Sequence, residues 1–326
     1  MSLPYLLRLF CVCAASFFLV YAFLGLAVSL AAPAAVRRAA RMQPRVAVRL
    51  LLAMRLLPLV IGAFVVVGLC VPSYLWLEPA ATSEHVGFGC VALAILAAVL
   101  CAASAVRVLR ALAGTIRFTR RCERTGKYVR IGEDSSRLLV IEGKSPVLAL
   151  AGVLHPRLVV SRGVMDALSR DQLDTALSHE QAHRVSRDNF KRFLLLLAPE
   201  MLPFFRGFAA LDREWMRLSE WAADDFAAAA DANRSLLLAS ALVRIARIGV
   251  PPRLSPVCTT FVSESADLAD RVNRLLQPAP LCTEPFARVR LAGAGAVCLL
   301  GTLVAAMISR PVILSSVHEL LEKLIH

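Results

Sequence analysis

Long apolar segments separated by short basic ones dominate the first third of the chain and recur near its end. Four stretches carry no charged residue, and each is long enough to cross about 30 Å of hydrocarbon as a helix. These stretches are Leu9–Val36, Leu56–Leu77, Val86–Val106 and Leu291–Ser309. The pattern predicts three transmembrane helices within residues 1–110, a fourth at 290–309 and a short tail at 310–326.

Residues 111–289 have the mixed composition of a globular domain. Three short apolar segments predict β-strands, and they are Leu138–Glu142, Val147–Ala151 and Leu158–Ser161. Ser169 and Gln172 have the spacing of a capping box, and apolar residues at helical spacing follow them. We therefore expect an α+β domain. The apolar segment Phe193–Leu211 is interrupted by Pro, and it is either a hairpin that grazes the membrane or part of the domain core.

The composition supports a membrane protein. Of the 326 residues, 58% are hydrophobic and 19% are charged, which excludes an ordinary soluble globule and a disordered chain. The nine Cys are too sparse for a disulfide scaffold. Cys258 and Cys282 lack the paired spacing that is typical of a structural zinc site.

The distribution of basic residues predicts the orientation. Basic segments follow the first and third apolar stretches, whereas the connection Glu78–His85 carries two Glu and no Lys or Arg. Because cytoplasmic connections are enriched in Lys and Arg, we expect residues 111–289 to lie in the cytoplasm. The net charge of +13 fits attraction to anionic lipid headgroups. Basic residues interleaved with aromatics, or a recognition helix, would indicate nucleic-acid binding, and neither pattern is found.

The helix that follows Ser169 carries the strongest chemical signal in the chain. His179 and His183 are one turn apart on one helix face, so their imidazoles can bind one Zn²⁺. Glu180 projects beside that position, where it can take a proton from metal-bound water. The pattern predicts a zinc site with Glu180 as general base. Two solvated His on a polar helix face are the alternative interpretation.

A catalytic zinc needs a third protein ligand. Glu220 lies on a predicted helix, and Asp224 follows four residues later on the same face. Glu220 could bind the metal while Asp224 accepts the spare N–H of a ligand imidazole and fixes its tautomer. A solvated carboxylate face is the alternative for this pair. Asp225 is the neighbouring candidate for the supporting role, but it points about 100° away around the helix.

Together these motifs resemble those of the integral-membrane gluzincin metallopeptidases. The matching segments are His179–His183 with Arg187–Asn189, Glu220–Asp224, Ser145–Gly152, Pro156–Ser161 and Asp270–Leu276. The sequence is most similar to the BlaR/MecR-type antirepressor peptidases, and HtpX-like and CAAX-prenyl-type membrane proteases are wider relatives. The β-lactam sensors carry a large penicillin-binding domain after the last span. The tail at 310–326 is too short to fold alone, so we expect no direct β-lactam sensing by this chain.

The resemblance implies an α+β zincin (gluzincin) fold and a set of site residues. It implies zinc bound by His179, His183 and Glu220, with Glu180 as catalytic base and Asp224 in support. It also implies that Arg271 lies near the site, where it either steadies a tetrahedral oxyanion or forms a structural salt bridge. Val147–Ala151 or a neighbouring strand would be an edge to which an extended substrate adds by main-chain pairing.

Our hypothesis is a multi-pass protease of a bacterial-type cell membrane that hydrolyses peptide bonds at the cytoplasmic face. A transcriptional repressor is the substrate suggested by family analogy, and damaged membrane proteins are the alternative. Two other classes remain open. One is a non-catalytic membrane sensor or scaffold that keeps a structural zinc site, and the other is a basic membrane adaptor without metal. The sequence does not predict the oligomeric state.

Overall fold

The computed structural model describes most of the chain. The described residues are 3–77, 86–130, 137–143, 145–200, 206–249, 255–261, 265–277, 315–317 and 319–321. The fourth predicted span at 290–309, Cys282 and most of the tail at 310–326 lie outside the described residues.

Long apolar helices form the first part of the chain, as the hydrophobic pattern predicts. They are α1 (Leu3–Ala39), α2 (Pro44–Val65) with a π-helical turn (Val66–Cys70) and α3 (Val71–Leu77), and α4 (Phe88–Thr125). Three helical segments, Tyr5–Ala39, Pro44–Leu77 and Phe88–Thr125, are long and apolar enough to cross a membrane. The first two segments contain the predicted stretches Leu9–Val36 and Leu56–Leu77, and the third contains all of Val86–Val106 except its first two residues.

Helix α4 joins the membrane region directly to a β-sheet. The helix runs through the predicted domain boundary at residue 111 and ends only at Thr125, before Gly126. A Cβ at Gly126 would lie 2.7 Å from the Cys122 carbonyl oxygen and 2.8 Å from that of Val140. Only glycine allows this close approach, so the chain turns without a linker into the first strand.

The sheet has five strands in the described part of the chain. They are β1 (Lys127–Arg130), β2 (Arg137–Ile141), β3 (Leu148–Ala151), β4 (Arg157–Ser161) and β5 (Thr259–Thr260). Their order is β1-β2-β4-β3-β5, and only the β2–β4 pair is parallel. Alternate residues of β2 face opposite sides. Leu138 packs in the helical core, and Leu139 packs against Phe118 and Cys122 of α4, so both faces of the sheet are covered.

The expected edge was Val147–Ala151 or a neighbouring strand, and the structure bears out the second possibility. β3 is flanked on both sides, by β4 and by β5, whereas its neighbour β5 is at the edge of the described sheet. The edge strands are β1 and the two-residue β5. The sequence did not indicate β5, because two Thr residues are too few to show the alternation of apolar and polar positions that predicts a strand.

Helices cover the sheet and link it to the membrane helices. They are α5 (Arg162–Ala167), α6 (Arg170–Ser186), α7 (Asp188–Leu197), α8 (Arg206–Ala228), α9 (Ala232–Ile248) and α10 (Ser265–Leu276). The predicted capping box at the start of α6 is confirmed, since the Ser169 hydroxyl accepts from the Gln172 amide and the Gln172 side chain accepts from the Ser169 amide. The segment Phe193–Leu211 comprises the end of α7 and the start of α8, and residues 201–205 between them lie outside the described part.

Helix α8 packs directly on α1 and α2. Phe208, Leu211, Trp215 and Leu218 share one buried apolar cluster with residues of both membrane helices. At the start of α8, the Gly207 amide donates to the Ser29 hydroxyl of α1 at 3.1 Å. The backbones approach so closely here that a side chain at Gly207 has no room.

We expect the substitution Gly207→Ala to destabilise the protein. An added Cβ would lie 2.6 Å from Ser29 Cα, so α8 would have to move away from α1. Overpacking of this kind costs about 1–3 kcal/mol, which thermal unfolding in detergent would report as a lower Tm. Gly89→Ala on α4 is the matched control, because its Cβ would meet nothing within 4 Å. Equal Tm values for the two variants would contradict this prediction.

Candidate metal centre

Helix α6 carries three neighbouring polar side chains into the interior of the domain. His179, Glu180 and His183 have no solvent-exposed surface. The face of α6 that is directed into the protein therefore carries ionisable side chains, whereas the inward face of an amphipathic helix is usually apolar. Burying such groups is costly unless each finds a partner, so the surrounding elements have to supply charges and hydrogen bonds.

Glu220 of α8 meets the two imidazoles of α6. The His179 and His183 Nε2 atoms are 3.2 Å apart, and Glu220 carboxylate oxygens lie 3.4 Å from His179 Nε2 and 3.6 Å from His183 Nε2. Two Zn–N bonds of about 2.05 Å at the tetrahedral angle put their nitrogens about 3.3 Å apart. His179, His183 and Glu220 therefore have the donor types and the spacing to hold one metal ion, with ligand atoms all within 4.8 Å of one another.

Two carboxylates orient the imidazoles by contacting the Nδ1 atom of each ring, on the side away from Glu220. Asp224 Oδ1 lies 2.9 Å from His179 Nδ1, and Asp188 Oδ2 lies 2.8 Å from His183 Nδ1. Each contact requires the proton on Nδ1, which leaves the Nε2 lone pair of each ring directed at the other ring and at Glu220. The two rings are thus held in the tautomer and orientation that a metal site needs.

Asp188 is a site residue to which sequence reasoning gave no role. Helix α6 ends at Arg187, which adopts a left-handed conformation with φ 55°, and α7 starts immediately at Asp188. This sharp turn brings Asp188 back beside His183. Lys191 and the Ser219 hydroxyl also donate to its carboxylate, at 2.7 and 2.9 Å. The available signal in the sequence was its place in the segment Arg187–Asn189, which follows His183 closely and belongs to the family resemblance.

Arg271 of α10 contacts two of the site carboxylates. Its Nε and Nη2 donate to Asp224 at 2.9 and 2.7 Å, and its Nη1 lies 2.8 Å from the Phe261 carbonyl and 3.1 Å from Glu220 Oε2. The side chain is 1% exposed. Of the two roles open for Arg271, these contacts favour the structural salt bridge, because every guanidinium nitrogen is already engaged.

A second arginine, which the sequence did not indicate, lies on the other oxygen of Glu220. Arg192 Nη2 of α7 is 3.4 Å from Glu220 Oε1, and its Nη1 donates to the Cys258 carbonyl at 3.3 Å. Each oxygen of Glu220 therefore faces one guanidinium and one imidazole. The carboxylate is fixed in place by four groups from three helices.

These contacts shift the pKa values of the buried groups. Burial opposes ionisation of Glu220, but His183 and Arg271 outweigh it and hold the pKa of Glu220 well below its usual range. Burial acts to lower the pKa of His183, whereas the charges of Glu220 and Asp188 raise it to about 10. Both shifts have the same cause, which is the attraction between the Glu220 carboxylate and the cationic side chains around it.

Glu180 lies in a different environment. Burial raises the pKa of Glu180 to about 7, although the two imidazoles oppose the shift. Neither carboxyl oxygen has a hydrogen-bond partner among the described residues. A buried carboxyl group without partners is expensive, and a pKa near neutrality is suited to both accepting and releasing a proton.

His179, His183 and Glu220 could hold one metal ion, and the carboxyl group of Glu180 lies beside them. The profile of Peptidase family M48 matches residues 117–294, which contain every residue of this centre. The match covers more than half of the chain, and the protein belongs to Peptidase family M48.

Comparison with solved structures gives a more distant likeness. The crystal structure of S. mikatae Ste24p is 14% identical, and the alignment covers 69% of this chain and 64% of that one, with a TM-score of 0.29. This chain therefore spans less than two thirds of that protein, and the TM-score is too low to establish a shared arrangement of helices. A search of curated proteins finds no match. The family match does not single out the BlaR/MecR-type group.

We expect Asp188→Asn to weaken metal binding without unfolding the domain. The amide keeps the shape of the side chain but loses the charge that orients and polarises His183. Loss of such a partner typically costs 10–100-fold in metal affinity. Competition with a chromophoric chelator would measure the change. Asp225→Asn, whose side chain pairs with Arg274 away from the centre, is the control. Equal zinc affinity in both variants would show that Asp188 does not support the site.

Proposed function

We propose that this protein is a membrane-bound zinc endopeptidase that hydrolyses peptide bonds of protein substrates at the cytoplasmic membrane face. The observation that carries the proposal is the meeting of His179, His183 and Glu220 with Glu180 directly beside them. In this scheme the first three residues bind zinc and Glu180 is the general base. Bound zinc supplies a Lewis acid that polarises the scissile carbonyl and lowers the pKa of the attacking water.

The protein's own side chains perform the proton transfers. Glu180 accepts a proton from the attacking water and later gives it to the leaving amine, for which a pKa of about 7 is well placed. Asp224 and Asp188 hold the two imidazoles in the required tautomer. Arg271 keeps the Asp224 and Glu220 carboxylates ionised within a dry interior.

The location of the domain is part of the same proposal. Basic residues follow α1 and continue along the end of α4, which supports a cytoplasmic position for residues 111–289 in a chain with four spans. A transcriptional repressor, cleaved for regulation, is the substrate that the sequence resemblance supports. Quality control of membrane proteins is the alternative, and it needs the same site on the same side of the membrane.

A non-catalytic scaffold that keeps a structural zinc is the competing class. Structural zinc sites are closed by four protein ligands. In the described part of the chain, the group within metal-binding distance has three such ligands, and Glu180 stands beside it unpaired. Three ligands with a neighbouring free carboxyl group favour catalysis.

Glu180→Gln is expected to abolish proteolysis and to leave zinc bound. The amide cannot accept the proton of the attacking water, and loss of a general base costs about 10²–10⁴-fold in rate. Cleavage of a casein-like substrate in detergent, together with metal analysis, measures both effects. Asp174→Asn, an exposed carboxylate change on the same helix, is the control. Unchanged cleavage by Glu180→Gln would refute the assignment.

The orientation can be tested separately. An epitope inserted in the connection 78–85 is expected to bind antibody on intact spheroplasts, because that connection carries no Lys or Arg. An epitope inserted after Gly143, which lies between strands of the domain, is expected to bind only after permeabilisation. The reverse pattern would place the metal centre on the outer side.

A further inference from the structure

Two charged pairs lie where the apolar stretches of the membrane helices end. Arg55 directly precedes the stretch Leu56–Leu77, and Arg107 directly follows Val86–Val106, so the two Arg mark the same boundary of the bundle. Arg55 Nε lies 3.1 Å from Asp212 of α8. Arg107 pairs with Glu200 and donates to the Ala198 carbonyl at 3.2 Å. The residues just after α7 and the first half of α8 are therefore bound to the membrane helices by charge.

Arg55 is buried, although its partner Asp212 is partly exposed. The Arg55 side chain is 1% exposed, and its guanidinium carbon lies 4.3 Å from the centre of the Phe208 ring. Its two terminal nitrogens have no hydrogen-bond partner among the described residues. A desolvated charge of this kind adds little net stability, and its best-attested role is to fix the register of packed elements.

Helix α8 connects this pair to the metal centre without interruption. Asp212 and Glu220 are eight residues apart on one continuous helix, which corresponds to about 12 Å along the axis. Gly207 lies against α1 at the start of the same helix, and Trp215 packs in the cluster shared with α1 and α2. A shift of α8 along the membrane helices would therefore displace Glu220 relative to the imidazoles of α6.

We propose that Arg55 and Asp212 are positioning residues for the metal centre. Their pair fixes α8 along the membrane helices and so holds the Glu220 carboxylate at the distance from His179 and His183 that a metal requires. This inference rests on the proposed function, in which Glu220 is a zinc ligand. It makes the membrane helices part of the metal site although they contribute no ligand.

The decisive variant removes both charges at once. Asp212→Asn alone leaves Arg55 buried without its partner and is expected to lower Tm strongly. The double variant Arg55→Met with Asp212→Leu is expected to fold with a Tm close to that of the wild type, because apolar replacement of a buried ion pair is often neutral or stabilising. What the double variant lacks is the directional contact that sets the register of α8.

The experiment compares the full-length wild type, the double variant and a matched control in the same detergent. The control is Glu214→Gln, which removes a carboxylate two residues along the same helix whose partner, Arg217, is also on α8. Zinc affinity is measured by chelator competition, and the protection of α8 is measured by hydrogen exchange of the peptides from residues 206–228. In zinc-saturated protein, kcat and KM are measured with a casein-like substrate.

In the double variant we expect zinc affinity to fall by about tenfold or more, comparable to the loss of a group that orients a ligand. We expect faster exchange of α8 amides, and a lower kcat with KM near the wild-type value, because Glu220 touches the metal rather than the substrate. Glu214→Gln should match the wild type in all three measurements. The single variant Asp212→Glu keeps both Arg55 and the negative charge beside it, and it should therefore retain most of the wild-type zinc affinity.

Wild-type zinc affinity together with wild-type exchange in the double variant would overturn the proposal and leave the pair a packing contact. A failure of the proposed function has a different signature. If the wild type bound no zinc, or if Glu180→Gln still cleaved substrate, the enzyme assignment would fail for every variant alike. In that case hydrogen exchange alone tests whether Arg55 and Asp212 position α8. Unchanged protection of α8 in the double variant would reject that role as well.

Discussion

Three side-chain atoms on two helices have to be held within a few ångströms of one another, and the rest of the structure depends on this requirement. His179 and His183 come from α6, and Glu220 comes from α8, nearly forty residues later. Neither helix can supply the site alone. The sheet supports α6 from one side, whereas α8 is set by its packing on α1 and α2. The candidate metal centre is therefore a product of tertiary packing between the sheet-containing part of the chain and the long apolar helices.

The charges around the centre explain how such a site can be buried. Asp188, Glu220 and Asp224 would each be unfavourable in a dry interior. Arg271 of α10 bridges Glu220 and Asp224 of α8. Asp188 is paired with Lys191 of its own helix, α7, and it also contacts His183 of α6 and accepts from Ser219 of α8. Such a network is satisfied only when α6, α7, α8 and α10 are all in place.

Sequence reasoning succeeded where the signal was local. The i, i+4 spacing of His179 and His183 and the capping box at Ser169 are properties of one helix, and both could be read directly from the chain. Glu220 and Asp224 could be suggested because a zinc site needs another ligand. Asp188, Arg192 and the actual partners of Arg271 depend on how helices pack, which no short pattern encodes. The strand β5 escaped detection for the same reason, since its two residues become a strand only by pairing with β3.

The direct passage of α4 into β1 has a mechanical consequence. Between Val106 and Thr125 the helix continues for about 28 Å beyond its apolar stretch and then enters the sheet through Gly126 with no flexible joint. A change in the tilt of this helix, as in a thinner or thicker bilayer, would therefore act directly on the sheet. Because α8 holds the same domain to α1 and α2, such a change would also load the contacts of α8.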